Sequence, residues 1–596
     1  MPAALALGLL QAPSTGFAQE AACTNPLARV VSVQGTADVK RGSTDWTPAA
    51  LDAVLCAGDA IRVGARSRAA LLLRNETTLR LDQGTTLTLS PPDARGTTLI
   101  DQLSGGLHVI TRTPRPFRVK TPFVNANVEG TEFAVRVTPR DATVSVDEGQ
   151  VVASNDFGAV TVESGEQAIA VSGTAPRKDV VIRSPDSVAW TLHFPSVFDP
   201  GSMAADPGTS PEMRQSLDAY RDNRLSDALR LAPAGQDGAT ASAYRAGLLL
   251  SVGRVDEARP LLDASVRGGT TAADALAMLS VIALAENDRA QALALAERSV
   301  ALAPTRATPF IALSYALQGL FRIEHAHTAA LRAVDAEPGN ALAWARVSEI
   351  RMALGNLEGA RAAAAEAIAL DPRQARTQTV LGFASLVSLD LDAAGASFRS
   401  AIALDQGDPL PRLGLGLTLV RRGDLSAGRA ELEIAAALDT GNSLVRSYLG
   451  KAYYEERRDS LAATQFQLAE ARDPNDPTPY FYDAIRRLAA NMPVEALRDL
   501  SRSIELNDNR AVYRSRFLLD DDRAARTTSL SAIYAELGFE RLSIAEGVKA
   551  LATTAGNDAA HRQLAAAYAN LPRHDVARVS EALQAQIRQP VTLAPI

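Results

Sequence analysis

Aromatic residues make up only 5% of this 596-residue chain, and histidine occurs six times. So little ring surface argues against a stacking platform for bases or sugars. The histidines, His108, His193, His325, His327, His561 and His574, are scattered. His325 and His327 stand two apart, which on a helix turns them to different faces. No Cys-x-x-Cys, His-Glu-x-x-His or phosphate loop occurs, and no Ser/His/Asp set can be assembled by spacing. The reading is a non-enzyme with no cofactor and no metal site. Positive charge is not in excess either: the net charge is −7. That removes the basic field which favours nucleic acid or anionic lipid. No stretch reaches the roughly 18 consecutive apolar residues of a transmembrane helix.

Cysteine is almost missing, with Cys23 and Cys56 alone. The N-terminus, MPAALALGLLQAPSTGFAQEAACTN, carries a short apolar run from Ala3 to Leu10, then Pro13. Gly16 and Ala18 are spaced as at a signal-peptidase site, so residues 1–18 are expected to be a signal peptide. The usual basic start is absent, which leaves room for a start further upstream. Glu20 stands where a lipobox has an aliphatic residue, and this disfavours lipidation of Cys23. In an exported chain an even pair of cysteines suggests the disulfide Cys23–Cys56. In the chain-entropy model such a loop closure stabilises by roughly 3–4 kcal/mol.

What is present is ordinary for folded protein, 46% hydrophobic and 22% charged, over a length that holds several cores. From Leu27 to about residue 195 the pattern alternates with period two. It is broken at Gly35, Asp59, Asn75 and Gln83-Gly84. Turn signals every 8–12 residues or so predict a β-sandwich or coiled β-solenoid. Within TPFVNANVEGTEFAVRV, Phe133, Val135 and Val137 fall on one face and Glu132, Ala134 and Arg136 on the other. Gly130 fits a tight corner, and Val144 and Val146 are expected on the opposing inward side. The stretch reads as core and turns, with no catalytic geometry.

The segments LCAGDAIRVGARSRAALLL, VEGTEFAV, VDEGQVVAS and VESGEQAIAV resemble the FecR-type domain, over about residues 27–172. The matching positions are Gly58-Asp59, Gly64 with Ser67, and Gly130-Thr131 with Phe133. The family's Asp-Gly-Ser turn is replaced by Asn75-Glu76-Thr77. The resemblance implies an extracytoplasmic interaction module. In the regulators that carry it, a cytoplasmic sigma-factor-binding segment and a membrane helix precede the domain. Neither is found in this sequence, which argues against that use here.

The second half repeats every 34 residues. ALAP, DAEP, ALDP, ALDQ, ALDT, ARDP and ELND end at Pro304, Pro338, Pro372, Gln406, Thr440, Pro474 and Asp508. Twelve residues before each stand Ala292, Ala326, Ala360, Ala394, Gly428, Ala462 and Ala496. Twenty-four before stand Ser280, Ser314, Ser348, Gly382, Gly416, Gly450 and Ala484, and an earlier copy has Ala246 and Ala258. Small residues at two phases let paired helices approach, and proline closes each unit. The period and phases resemble the tetratricopeptide repeat.

The expected fold is multidomain, an all-β FecR-like unit followed by an all-α superhelix. Its parts are a signal peptide (1–18), the β domain (19–195), a Pro/Gly-rich linker (196–212), and the array (213–510, eight regular repeats from 239). An insertion (511–523), with Asp520–Asp522 as a solvated run, and degenerate helices (524–590) follow. The resemblance implies that first helices line a concave groove. The matching phases give Ile311, Tyr315, Glu349, Phe383, Leu386, Leu413, Leu417, Lys451, Tyr454 and Phe481 as candidate partner-binding residues. A mostly apolar inner wall suits an extended or helical peptide. The expected function is a periplasmic scaffold of a Gram-negative envelope, binding a protein or peptide partner. Such a combination also resembles the front of outer-membrane proteins that end in a β-barrel, so a barrel is one candidate partner. Alternatives are a part in polysaccharide export and a FecR-type signalling component.

Overall fold

The computed structural model describes residues 26–589, apart from 43, 92–96, 112–116, 129–130, 181–188, 234–238, 268–271, 514–518 and 570. Gly130 and Cys23 lie outside the described residues. Seventeen strands among them build a two-layer β-sandwich. The first layer runs from Val54–Cys56 and Pro26–Gln34 through Arg68–Leu73, Thr78–Leu81, Glu132–Val137 and Asp141–Glu148 to Glu166–Val171 and Arg177–Val180. The second includes Ala37–Lys40, Ala60–Val63, Thr86–Ser90, Phe117–Lys120, Asn125–Val128, Gln150–Asn155 and Gly158–Glu163. The chain visits the layers in turn. The 13-residue strand Thr98–Ile110 belongs to both, pairing with the second layer up to Ser104 and the first from Gly105. Gly105 makes the crossing with φ 84°, and a Cβ there would lie 2.4 Å from the Thr85 backbone.

Alternation of side chains fills the space between the layers. Leu71, Leu79, Val109, Phe133 and Val135 of the first layer meet Ile61, Leu87, Phe117, Val119 and Val151 of the second. Phe133 and Phe117 touch edge to face, with ring centroids 6.5 Å apart. Val144 and Val146 differ from their expected place. They pair directly with Val135 and Phe133 on the neighbouring strand of the same layer. A tight hairpin sets strands side by side, so the facing side comes from strands distant in sequence.

The outer face of the first layer carries one register row: Ser32, Ala70, Arg80, His108, Ala134 and Ser145. Arg80 and His108 are each only 1% exposed, although they point away from the sandwich core. The helices cover them.

Twenty-four α-helices among the described residues follow the sheet. First helices of successive pairs start at Ala239, Ala273, Ala307, Ala341, Ala375, Pro409, Ser443 and Pro477, a step of 34 each time. The local causes repeat with them. Asp288, Asn356, Asp390 and Asp424 cap the second helices through their side chains. The residue before each cap takes left-handed backbone: Asn287, Gly355, Leu389 and Gly423. Ser280, Ser314 and Ser348 donate to the carbonyls of Ala292, Ala326 and Ala360 at 2.7–2.9 Å, stitching the two helices of each pair. In a later pair Gly416 and Gly428 bring the backbones closer, and a Cβ on Gly416 would lie 2.9 Å from the Gly428 carbonyl oxygen.

The 196–212 segment is engaged with the repeats. Phe194, Val197 and Phe198 share a core with Leu217, Tyr244, Met278 and Ile311. Asp199 then caps the short helix Pro200–Ala205 and also accepts from the Ala341 and Leu342 amides. This strap runs across the first helices of the early repeats. Asp520–Asp522 stand in the first turn of helix Leu519–Glu536. No helix among the described residues is long and apolar enough to cross a membrane.

Candidate functional site

The ten groove candidates are all buried or half-buried, and the chain itself accounts for most of them. Ile311 is 1% exposed in the core beneath the strap, and Leu413 is 2% exposed in the packing of its own repeat. Tyr315 lies under the Arg346 guanidinium, 3.8 Å from the ring centroid, and its hydroxyl accepts from Arg376 at 3.2 Å. Glu349 pairs with Arg346 at 2.9 Å and Arg376 at 2.5 Å, so it is not an isolated charge. Phe383 and Leu386 pack around Phe398 together with Leu51 of the β domain. Leu417 and Tyr454 pack against one cluster, which includes Leu413. Lys451 pairs with Glu455 at 3.2 Å beside Tyr482, and Phe481 sits under Arg526. The structure thus brings the candidates onto the first helices but divides them. The early ones serve the strap and the β domain, and the later ones line a freer wall.

Docking of the β domain is built mostly from arginines. Arg80 donates to the carbonyls of Thr191 (2.7 Å), Ala437 (2.9 Å) and Leu438 (2.7 Å), the last two ending helix Leu425–Leu438. Arg68 donates to Gln34, to the Trp190 carbonyl at 2.8 Å and to the Ser251 carbonyl at 3.0 Å. Burial pushes the Arg68 guanidinium down to about 10 and moves Arg80 well below its ordinary range. Both charges are therefore held against a desolvation cost. From the repeat side, Arg412 donates to the Val31 carbonyl at 2.8 Å, and Arg446 to both Glu132 oxygens at 3.1 Å. Glu76 takes Arg429 at 3.1 Å and Arg458 at 2.6 Å. Val31 and Ala70 meet Ile434 and Leu438 in a small apolar patch between these contacts.

A cavity of about 110 Å³ remains where strap, β domain and repeats meet, lined among others by Arg68, His193, Tyr220, Tyr315, Arg376 and Asp408. Burial pushes His193 down to about 4 and raises Asp405 and Asp408. Burial also opposes the Arg376 charge, but Glu349, Tyr315 and Asp408 outweigh it and hold the guanidinium above its ordinary range. A cavity this small suits a few ordered waters joining the charged groups rather than a substrate.

A second hollow, of about 360 Å³ and more open, lies along the first helices of the last repeats. Ile485, Leu488, Ala532, Ile533 and Ala559 supply its apolar wall, with Arg562 and Gln563 at its rim. Sequence reading missed it because the 34-residue phase is broken after residue 508 and phase was the only guide. It also missed the interdomain surface, for which two signals exist. The closing proline is replaced at Gln406 and Thr440, and these two residues contact the other part of the chain. Gln406 accepts from the Val33 amide at 2.8 Å, and the Thr440 hydroxyl meets Thr191 at 3.2 Å. Arg412 and Arg446 also share one repeat register. The second signal is the departure from the FecR pattern at Asn75-Glu76-Thr77, since Glu76 there is an ion-pair contact.

Motif residues of the β domain have structural tasks. Gly58 has φ 89° and the Asp59 carboxylate accepts from the Cys56 amide at 2.7 Å. The Ser67 hydroxyl accepts from the Thr36 amide at 2.8 Å, beside Gly64. Cys56 is disulfide-bonded.

Residues 59–152 match the family model described as FecR protein. No curated protein matches the chain. Among solved structures, the APC/C hetero-tetramer Cut9-Hcn1 is 11% identical, with TM-score 0.42, covering 68% of this chain and 98% of that one. The human IFIT1 dimer with m7Gppp-AAAA is 13% identical, with TM-score 0.39, covering 67% and 96%. A putative anti-sigma factor from Parabacteroides distasonis is 22% identical, with TM-score 0.21, over 23% of this chain and 67% of that one. These likenesses are too weak to carry an argument, and the repeat type rests on the 34-residue step of capped helix pairs. The chain contains a FecR-family domain, matched at residues 59–152, joined to a helical array of tetratricopeptide type.

Proposed function

We propose that this protein is a non-enzymatic scaffold of the bacterial envelope, placed in the periplasm, which binds a protein or peptide partner through its last repeats. The observation that carries this reading is the unequal use of the first-helix wall. In the early and middle repeats the wall is taken by the strap and by Leu51, whereas the hollow at Ile485, Ala532 and Ala559 is open and apolar. An apolar groove between helices is the usual seat of an amphipathic partner segment. Phe481, which packs against the cluster of Ala484 and Ile533, and Lys451 and Tyr454 on the first helix before it are the groove candidates we retain for the partner. Ile311, Tyr315, Glu349, Phe383, Leu386, Leu413 and Leu417 then hold the chain's own parts together. The FecR-family domain acts as a fixed platform beside the groove, and an outer-membrane β-barrel is one candidate partner. A Cys23–Cys56 bridge fits an oxidising compartment.

The test is site-specific photocrosslinking in a Gram-negative host combined with envelope fractionation. A crosslinker at Ala532 or Ile485 should yield adducts in the periplasmic fraction, and one at Phe383 should yield none. Adducts at Phe383 alone, or recovery in the cytosol with reduced thiols, would overturn the proposal.

A further inference from the structure

We propose that His108, Glu132 and Asp147 form a binding site for one divalent transition-metal ion, zinc in the first instance, seated between the β domain and the repeats. The three stand on adjacent strands of the first layer, Thr98–Ile110, Glu132–Val137 and Asp141–Glu148, and face the helices. Their ligand atoms lie within 4.8 Å of one another. His108 Nε2 is 3.6 Å from Glu132 Oε1 and 3.4 Å from Asp147 Oδ2.

Those separations are too long for hydrogen bonds to a carboxylate, which close to about 2.7–3.0 Å. His108 is nevertheless 1% exposed, and neither ring nitrogen has a hydrogen-bond partner among the described residues. A buried imidazole aimed at two carboxylates without bonding either is the arrangement a cation between them would complete. Zinc takes imidazole nitrogen and carboxylate oxygen at about 2.0–2.2 Å in a tetrahedron, which sets neighbouring ligand atoms roughly 3.3–3.6 Å apart. The imidazole favours zinc over magnesium or calcium, which prefer all-oxygen shells. Arg446, 3.1 Å from both Glu132 oxygens, would orient that carboxylate from outside. Because Arg446 belongs to helix Ser443–Glu455, the ion would tie the β domain to the repeats.

The test uses the full chain, stripped with chelator, incubated at length with zinc chloride because the site is buried, and separated from free ion. Elemental analysis should find one zinc per chain, with a raised thermal midpoint. Cobalt in its place should give the visible absorption of a four-coordinate centre. His108→Ala and Asp147→Asn, which leave the Glu132–Arg446 contact in place, should weaken zinc binding at least tenfold. Wild-type protein that retains no zinc and gives no cobalt spectrum would overturn the proposal. Unchanged stoichiometry in both variants would overturn it equally, by placing the zinc elsewhere. If a variant does not fold, the wild-type stoichiometry and cobalt spectrum decide alone.

Discussion

Replacing Arg80 with methionine should loosen the β domain from the repeats, and the size of the effect follows from its acceptors. The Arg80 side chain is buried and donates to the carbonyls of Thr191, Ala437 and Leu438 at 2.7–2.9 Å. Ala437 and Leu438 close a helix, where the last carbonyls have no intrahelical donor and carry the negative end of the dipole. Losing the donor leaves the two buried helix-end carbonyls without it, at about 1–3 kcal/mol each, so roughly 2–6 kcal/mol in all. Against this, the variant no longer buries a guanidinium, whose desolvation costs several kcal/mol. Methionine also keeps much of the stem's apolar contact. The acceptors win because they are backbone and cannot be removed with the charge, so the expected net loss is about 2–4 kcal/mol.

The assay is urea unfolding followed by Trp190 fluorescence in a Trp46→Phe, Trp344→Phe background. Trp190 is 7% exposed at the junction, with the Arg80 guanidinium 5.7 Å from its ring. The first transition should move to lower urea without a change of slope. A midpoint equal to that of the parent would refute the reasoning, and so would a loss confined to the far C-terminal repeats.

Two further effects are open to the same measurement. Leu389 holds left-handed backbone at φ 63° while its side chain is 60% exposed, so Leu389→Gly should stabilise the array by about 1 kcal/mol, and a lower midpoint would count against strain at that turn. Glu470 is pushed up to about 7 by burial and by Asp499 and Asp483, whereas in the unfolded chain it ionises near its ordinary value of 4.5. A carboxyl raised on folding destabilises above its folded value, and the native state regains stability as pH falls from 7 towards 4.5. Glu470→Gln should therefore raise the urea midpoint at pH 8, by about 1–2 kcal/mol after discount for its partial exposure, and the gain should vanish near pH 4.5. A gain independent of pH would exclude ionisation as the cause.

The fold was legible because each element repeats its own cause. Period two announced the strands, and the 34-residue step announced the helix pairs together with the small residues that Ser280, Ser314 and Ser348 show to be helix-to-helix stitches. The site was less legible. A phase argument gives the face of a helix on which a residue lies, but not what covers that face. Phe383 and Leu386 share their cluster with Leu51, more than 300 residues away in sequence, and periodicity carries no trace of that packing. Alternation likewise assigned Glu132 and Arg136 to a common outer face. It could not tell that Glu132 would be buried against Arg446 while the Arg136 side chain stays half exposed.

The two parts of the chain depend on each other unequally. The outer row of the sheet is largely polar, Ser32, Arg80, His108 and Ser145, so water could satisfy it if the repeats were away. Its apolar share is a small patch around Val31 and Ala70. The early repeats have no such alternative. Their first-helix wall at Tyr244, Met278 and Ile311 is apolar and is sealed by Phe194, Val197 and Phe198 of the strap. Full burial of one such side chain is worth about 1.5–3 kcal/mol, so three of them outweigh any single polar pin at the sheet. The strap, which enters from the end of the β domain, is thus the main tie. The arginines select the angle at which the sheet rests, and this is where the sequence departs from both of its patterns, at Glu76 in the FecR turn and at Gln406 and Thr440 in the proline phase.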